Sequence, residues 1–309
     1  MELRISKRVV IIGLAIISIL ILISLTPQEA LITKTKHPLN TAHSTSTTPI
    51  NTYGIITNKV ALITDTQYTK KLIPLILHFH SVLGPDWPIV FYTSQATSDK
   101  HFAPETAANQ SVIWQRAVSD RRIDVRILPS EVDLTRRNAV NLFLARPWLW
   151  EQLAPAQHVL IFQADSMICA NSHRRADDWL KYDFVGPSLS HIDKPLPKFF
   201  NGGLSLRNRT MILDILNGGH NWEKETEAKT WTRGGEDMWF SYLMGQRGAN
   251  LPDTLETLQF ACQFDWHLNM VPEPLGYHKV HVNVPFRMNE IARWCPEIAL
   301  SAKGTLEPA

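Results

Sequence analysis

The sequence has little cysteine and little excess charge, and each shortage excludes a class of protein. Three cysteines (Cys169, Cys262, Cys295) among 309 residues are too few for a disulfide framework, and they lack the paired spacing of a structural zinc site. One bridge plus one free thiol fits the count, with the pairing open. Formal net charge is only +2. Residues 1–50 hold five cations against two carboxylates, so the remaining 26 cations face 27 carboxylates. A nearly neutral body argues against non-specific nucleic-acid binding. There is no internal repeat and no phosphate-cradling Gly-Lys-Ser/Thr loop. What remains is a chain that is 44% hydrophobic, long enough for one large domain with a sizeable core.

Val9 to Leu25 is an uncharged apolar run preceded by Arg4, Lys7 and Arg8. At ~17 residues it exceeds the usual apolar region of a cleaved signal and reaches the short end of a bilayer span. Thr26-Pro27-Gln28-Glu29 offers no convincing cleavage site. The basic flank places residues 1–8 in the cytosol and predicts a type II signal anchor, with the rest in the lumen of the secretory pathway and the Golgi as the expected address. In Thr41–Thr52, seven of twelve residues are Ser or Thr, so residues 26–55 read as a solvated stem. Two sequons, at Asn109 and Asn208, fit a luminal domain, the first more readily because Asn208 follows a strand-like segment.

The body alternates strand-like and helix-like segments. Residues 59–64 (KVALIT), 88–93 (PIVFYT), 123–128 (IDVRIL) and 158–164 (HVLIFQA) read as strands; 70–83 and 138–153 read as helices. That order predicts an α/β fold with a mixed, mainly parallel sheet flanked by helices. Asp165 stands at the carboxyl end of the strongest strand, where open α/β sheets collect ligands; capping a turn is the bland alternative.

Four strings carry chemistry. Leu160–Ser166 (LIFQADS) resembles the D-x-D element of GT-A nucleotide-sugar glycosyltransferases, with Gln163 in place of the first acid. Phe199–Asn208 (FFNGGLSLRN) looks like the F-N-G-G-L-S-L-R signature of luminal, galactosyltransferase-type enzymes. Gly234-Gly235-Glu236-Asp237 is similar to the G-G-E-D segment of inverting galactosyltransferases, although adjacent carboxylates also suit a helix N-terminus. Pro274–His281 (PLGYHKVH) supplies a late histidine. With Asp-Trp-Pro at 86–88 and D-F-V-G at 183–186, residues 56 to about 285 resemble an uncharacterised family of GT-A-like, Rossmann-like domains.

That resemblance implies transfer of a sugar from a UDP- or GDP-sugar donor to a hydroxyl of a glycan, glycolipid or glycoprotein acceptor. It implies Asp237, with Glu236 as alternate or sugar ligand, as the base on the acceptor hydroxyl. Thr64, Asp65, Thr66, Asp165, Ser166, Asn201, Gly202, Gly203 and Lys279 are the implied donor-binding residues. Asp165, His278 and His281 would hold Mn²⁺ or Mg²⁺. The implied boundaries are a catalytic domain at 56–295 and a tail at 296–309. Trp222, Trp231 and Trp239 could stack on sugar or simply pack, and Arg136, Arg137 and Arg146 could reach phosphate or simply be solvated. Gln163 keeps a competing reading open, a non-catalytic carbohydrate-binding or scaffold domain. A hydrolase or phosphotransferase built on Asp165, Glu236 and Asp237 is the remote third.

Overall fold

The computed structural model describes residues 55–302 apart from 104–105, 107–110, 133, 135–137 and 191–197. The expected anchor at 9–25, the stem to residue 54, Asn109, Arg136 and Arg137 lie outside the described residues. Among those described, no helix is long and apolar enough to cross a membrane.

Among the described residues, six strands form the central sheet: β1 (Lys59–Thr64), β2 (Ile89–Thr93), β3 (Ile123–Ile127), β4 (His158–Phe162), β6 (Phe184–Val185) and β7 (Leu204–Asn208). Their order is β3-β2-β1-β4-β7-β6. The first four are mutually parallel, and β7 and β6 run antiparallel to their neighbours. A second sheet joins β5 (Ser166–Ile168), β9 (Gly276–His278) and β8 (Ala261–Cys262), with Ser166 paired to His278.

The continuous apolar runs of β1, β2 and β4 arise because both faces of this sheet are covered. Alternate residues of β1 serve opposite layers: Ala61 and Ile63 enter one core, Val60 and Leu62 the other. Helix α1 (Leu72–Leu83) buries Leu72, Leu75, Ile76 and Phe79 in the first core, with Pro74 tolerated in its opening turn. Helices α2 (Gln95–His101) and α3 (Val112–Ser119) follow; Trp114 of α3 joins the same core.

The other layer is built from α4 (Ala139–Leu144), α5 (Pro147–Gln152), α6 (Arg209–Asn217), α7 (Trp222–Glu227) and α8 (Glu236–Gln246). The single helix expected over 138–153 is therefore two. Arg146 is extended, as a residue before proline prefers, and Pro147 opens the second helix.

The chain then runs through α9 (Thr254–Phe260), α10 (Asp265–Met270), α11 (Val280–Asn283) and α12 (Met288–Trp294) to a 3₁₀ turn at Pro296–Leu300. Residues 296–302, beyond the expected boundary at 295/296, pack against the residues before it. Ile298, Ser301 and Ala302 are buried, Glu297 accepts from the Ala170 amide, and Cys295 is bridged to Cys169. Cys262 is the buried free thiol, and burial pushes it far above its ordinary value.

Candidate functional site

β1 has β2 on one side and β4 on the other, so the connections leaving β1 and β4 diverge and open a crevice beyond their carboxyl ends. A cleft of about 770 Å³ occupies it. Thr64, Asp65, Thr66 and Gln67 line it from β1, and Gln163, Ala164 and Asp165 from β4. The β1 exit is fixed locally: Asp65 Oδ1 accepts from the Gln67 amide at 2.8 Å, and Thr97 Oγ1 donates to the Thr66 carbonyl at 2.7 Å. Burial raises the Asp65 carboxyl above its ordinary value; the Gln67 N–H opposes the rise, and the Asp165 charge adds to it.

Lys70, Lys71 and residues 300–302 form another wall, which sequence reasoning missed. Lys71 Nζ donates to the carbonyls of Ala299 (2.9 Å) and Ala302 (2.8 Å), tying the C-terminal segment to the start of α1. Cys295, five residues before that wall, is the available signal.

At the end of β4, Asp165 meets the second sheet. His278 Nε2 lies 3.4 Å from Asp165 Oδ1, and among the described residues neither atom makes a hydrogen bond. The other ring nitrogen, Nδ1, is 3.0 Å from Gln263 Oε1; in the neutral tautomer in which Nδ1 donates to that oxygen, Nε2 presents its lone pair toward Asp165. Burial raises the Asp165 carboxyl; when His278 is protonated, its hydrogen bond and charge, with the Lys279 charge, outweigh that rise and hold Asp165 below the usual carboxylate range. Lys279 is exposed, sits at φ 56° and donates its amide to the Asp165 carbonyl.

Two orphaned donors, one carboxylate oxygen and one imidazole nitrogen, suit a divalent ion whose remaining positions are filled by oxygens from elsewhere. Among the described residues no third His, Cys, Asp or Glu joins them. His281, the other expected ligand, lies on α11, and among the described residues no group of three such side chains is placed to hold an ion.

Gly203 packs directly on His278; a Cβ there would come within 2.1 Å of Nε2. Its neighbour Gly202 donates its amide to Asp237 Oδ2 at 2.9 Å, while Asp237 Oδ1 accepts from the Met238 amide. Asn201 Oδ1 accepts from the Gly203 amide, so Asn201 shapes the turn. Ser166 does likewise: fully buried, it donates to the Gly203 carbonyl at 2.6 Å and presents no hydroxyl to the cleft. The structure thus links Asp165, His278, Gly203, Gly202 and Asp237 in one unbroken line of contacts.

Glu236 departs from the expectation. Its side chain is 3% exposed and forks onto Arg207, with Nη1–Oε2 at 2.8 Å and Nη2–Oε1 at 3.2 Å. Burial pushes its carboxyl up to about 7, against the pull of Arg207 and with the push of Asp237. Both oxygens are taken and solvent is excluded, so neither a sugar hydroxyl nor an acceptor proton can reach them. Trp222, Trp231 and Trp239 are buried packing residues rather than stacking platforms. Arg146 pairs with Glu223 at 3.4 Å on the surface. Asn208 is no glycan acceptor: its Nδ2 donates to Asp183 and its Oδ1 caps α6.

The sequence model of the family described as "Protein of unknown function (DUF5672)" matches residues 122–278, just over half the chain, and the chain belongs to that family. The matched span runs from the residue before β3 to His278 itself and contains Asp165, the Asn201–Gly203 turn and Asp237. No curated protein matches the sequence. Among solved structures, the apo-form glycosyltransferase GlyE of Streptococcus pneumoniae TIGR4 aligns at 14% identity and a TM-score of 0.44, over 72% of this chain and 54% of its own. A glycosyltransferase involved in glycosylation of the major capsid of PBCV-1 aligns at 12% and 0.44, over 77% of this chain and 100% of its own. The mannosyltransferase PcManGT of Pyrobaculum calidifontis, in complex with GDP-Man and Mn²⁺, aligns at 12% and 0.41, over 64% and 55%. The chain thus spans about half the length of the first and third.

Proposed function

We propose that this family member is a glycosyltransferase that moves a sugar from a nucleoside-diphosphate donor to an acceptor hydroxyl. The observation that carries the reading is the line of contacts that starts at Asp165, in the wall of a 770 Å³ cleft on the carboxyl ends of β1 and β4, and runs through His278 and the Gly202–Gly203 turn to Asp237. The cleft has room for a nucleotide. Thr64, Asp65 and Thr66 offer oxygens to base and ribose, and the exposed Lys279 offers a charge to the diphosphate.

Asp165 Oδ1 and His278 Nε2 would hold a divalent ion, which when bound neutralises the diphosphate leaving group. The described residues supply only these two ligands, so an ion of this kind would be shared with the donor. Asp237, oriented by two backbone amides, takes the proton from the acceptor hydroxyl. The hydroxyl oxygen forms a bond to the anomeric carbon as the carbon–oxygen bond to the diphosphate breaks, and the diphosphate leaves with the electron pair. One displacement of this kind inverts the anomeric centre.

The Cys169–Cys295 disulfide supports an oxidising compartment, consistent with a luminal domain behind a type II anchor at residues 9–25. A glycan, glycolipid or glycoprotein is the acceptor class such a location offers.

The test is thermal-shift and calorimetric titration of the full chain in detergent with UDP- and GDP-sugars, with and without Mn²⁺. Metal-dependent stabilisation by one nucleotide class is expected, since binding to the native state alone raises stability by mass action. No response from a folded sample sinks the reading. It would favour the second one, a carbohydrate-binding domain without turnover, whose support is Gln163 in place of an acid and a ligand pair that no third side chain joins among the described residues.

A further inference from the structure

Five side-chain and backbone groups close a ring beneath the Gly202 turn. The Gly202 amide donates to Asp237 Oδ2 (2.9 Å), and Ser205 Oγ donates to the Gly202 carbonyl (3.0 Å). Arg207 Nε donates to Ser205 Oγ (3.0 Å), and the Arg207 guanidinium forks onto Glu236. The peptide bond from Glu236 to Asp237 completes the circuit. Ser205, Arg207 and Glu236 have almost no contact with solvent. The guanidinium carbon lies 4.7 Å from the Phe184 ring centroid and 5.9 Å from that of Trp150. Gly202 itself lies against the pair, since a Cβ there would meet Arg207 Nη2 at 2.3 Å, Asp237 Cβ at 3.1 Å and Glu236 Oε1 at 3.3 Å.

We infer that Arg207, Glu236 and Ser205 are positioning residues, a buried ionic clamp that sets the first turn of α8 against the Gly202 turn and so holds the Asp237 carboxylate in one orientation. A buried ion pair contributes little net stability compared with apolar packing of the same volume. What it adds here is geometry. Arg207 is anchored by the β7 ladder, where it pairs with Val159 and Phe184, and its planar fork admits one placement of Glu236. Asp237, next in the chain, inherits that placement. Without the clamp, α8 keeps its apolar contacts through Trp239, Phe240 and Met244 and one backbone tie, Ser241 Oγ, which donates to the Asp237 carbonyl at 2.7 Å and accepts from the Phe200 amide at 3.3 Å; the clamp is what holds the side chains of its first turn.

The inference rests on Asp237 as the base for its functional meaning, but its physical content is separate, so the experiment reads both. Full-length protein in detergent is compared as wild type, Glu236→Gln, Ser205→Ala, and the doubly apolar Arg207→Met with Glu236→Leu. Amide hydrogen exchange is followed at single-residue resolution at Gly202 and along β7. The expected result is Gly202 exchange faster by roughly tenfold in Glu236→Gln and in the double variant, severalfold in Ser205→Ala, with the β7 amides within about twofold of wild type. Wherever a donor is turned over, kcat falls in the same order while the donor KM holds. Unchanged Gly202 exchange, or equal acceleration at Gly202 and throughout β7, overturns the inference, because the pair would then serve only general stability. If Glu236→Gln and the double variant do not fold, Ser205→Ala decides by the same ratio. If no variant and no wild type turns over any donor, the proposed function fails and the exchange ratio still judges the clamp.

Discussion

Asp165 and His278 meet across two sheets: Oδ1 at the exit of β4 faces Nε2 at the end of β9 at 3.4 Å, and among the described residues neither atom makes a hydrogen bond. The register that pairs Ser166 with His278 forces the encounter, because it sets the last residue of β9 beside the turn that holds Asp165. Gln263, buried next to β8, then decides which ring nitrogen faces the carboxylate.

Gln263 is accordingly the first residue to test. Outer hydrogen bonds to ligating histidines commonly affect metal affinity by about 10–100-fold. Gln263→Ala is expected to weaken Mn²⁺ binding by that order, followed by electron paramagnetic resonance of the free ion, while thermal stability changes little beyond a lost side-chain contact. Mn²⁺ binding equal to wild type would show that His278 is not a ligand.

Asp237→Ala separates the base from the binding site. The Gly202 amide loses its acceptor, but the cleft walls at residues 64–67 and 163–165 are untouched. A general base acts on the transition state, so kcat is expected to fall by ~10²–10⁴-fold with donor affinity preserved. Calorimetry of donor binding beside single-turnover rates checks this. Full activity, or loss of donor binding, would remove Asp237 from the base role.

The C-terminal wall gives a third expectation. Residues 300–302 line the cleft and are held from two directions, by Lys71 and by the bridge from Cys169 to Cys295. Cys295→Ser is expected to cost about 2–4 kcal/mol by urea unfolding, as the loss of a long-loop bridge does, and reductant should produce the same shift in wild type only. Truncation after Cys295 should in addition weaken nucleotide binding by roughly tenfold, because it removes one side of the cleft. A truncated chain that binds nucleotide like wild type would show that the wall makes no contact with it.

Much of this arrangement is legible in the sequence, and the rest is not, for reasons that lie in particular residues. The runs around Val60, Val90 and Val159 announce buried parallel strands because their cores lie on both faces, while the alternation of residues 123–128 marks β3 as a half-buried strand at the sheet edge. The second sheet has strands of two or three residues, too short for any period, so the meeting of His278 with Asp165 and Gln263 emerges only from tertiary pairing. The break between α4 and α5 was readable at Pro147, and the folding-in of residues 296–302 was hinted at by Cys295. Glu236 and Asp237 are chemically alike and adjacent, and nothing local separates them. Arg207, on the far side of a strand pair, assigns one carboxylate to the interior and leaves the other at the turn.

A last expectation concerns stability and pH. Lys59, the first residue of β1, is nearly buried and its ammonium is bound to Asp177 Oδ1, while Asp177 Oδ2 accepts from Trp87 Nε1 at 3.0 Å. Burial by itself would raise the Asp177 carboxyl; the Lys59 and Trp87 hydrogen bonds outweigh it and hold the group below its ordinary value. A carboxyl depressed on folding binds its proton more readily in the unfolded chain. Its contribution is therefore complete above the unfolded value near 4 and declines as pH falls through the lower folded value. Asp177→Asn keeps the shape but strands the Lys59 charge, so a cost of roughly 1–3 kcal/mol is expected at pH 7. Urea midpoints at pH 7, 5, 4 and 3 should show the gap between variant and wild type constant from 7 to 5 and shrinking below about 4, since acid removes from wild type what the variant already lacks. A gap that is independent of pH, or that widens toward acid, would mean that the Lys59–Asp177 pair is not what the carboxylate contributes.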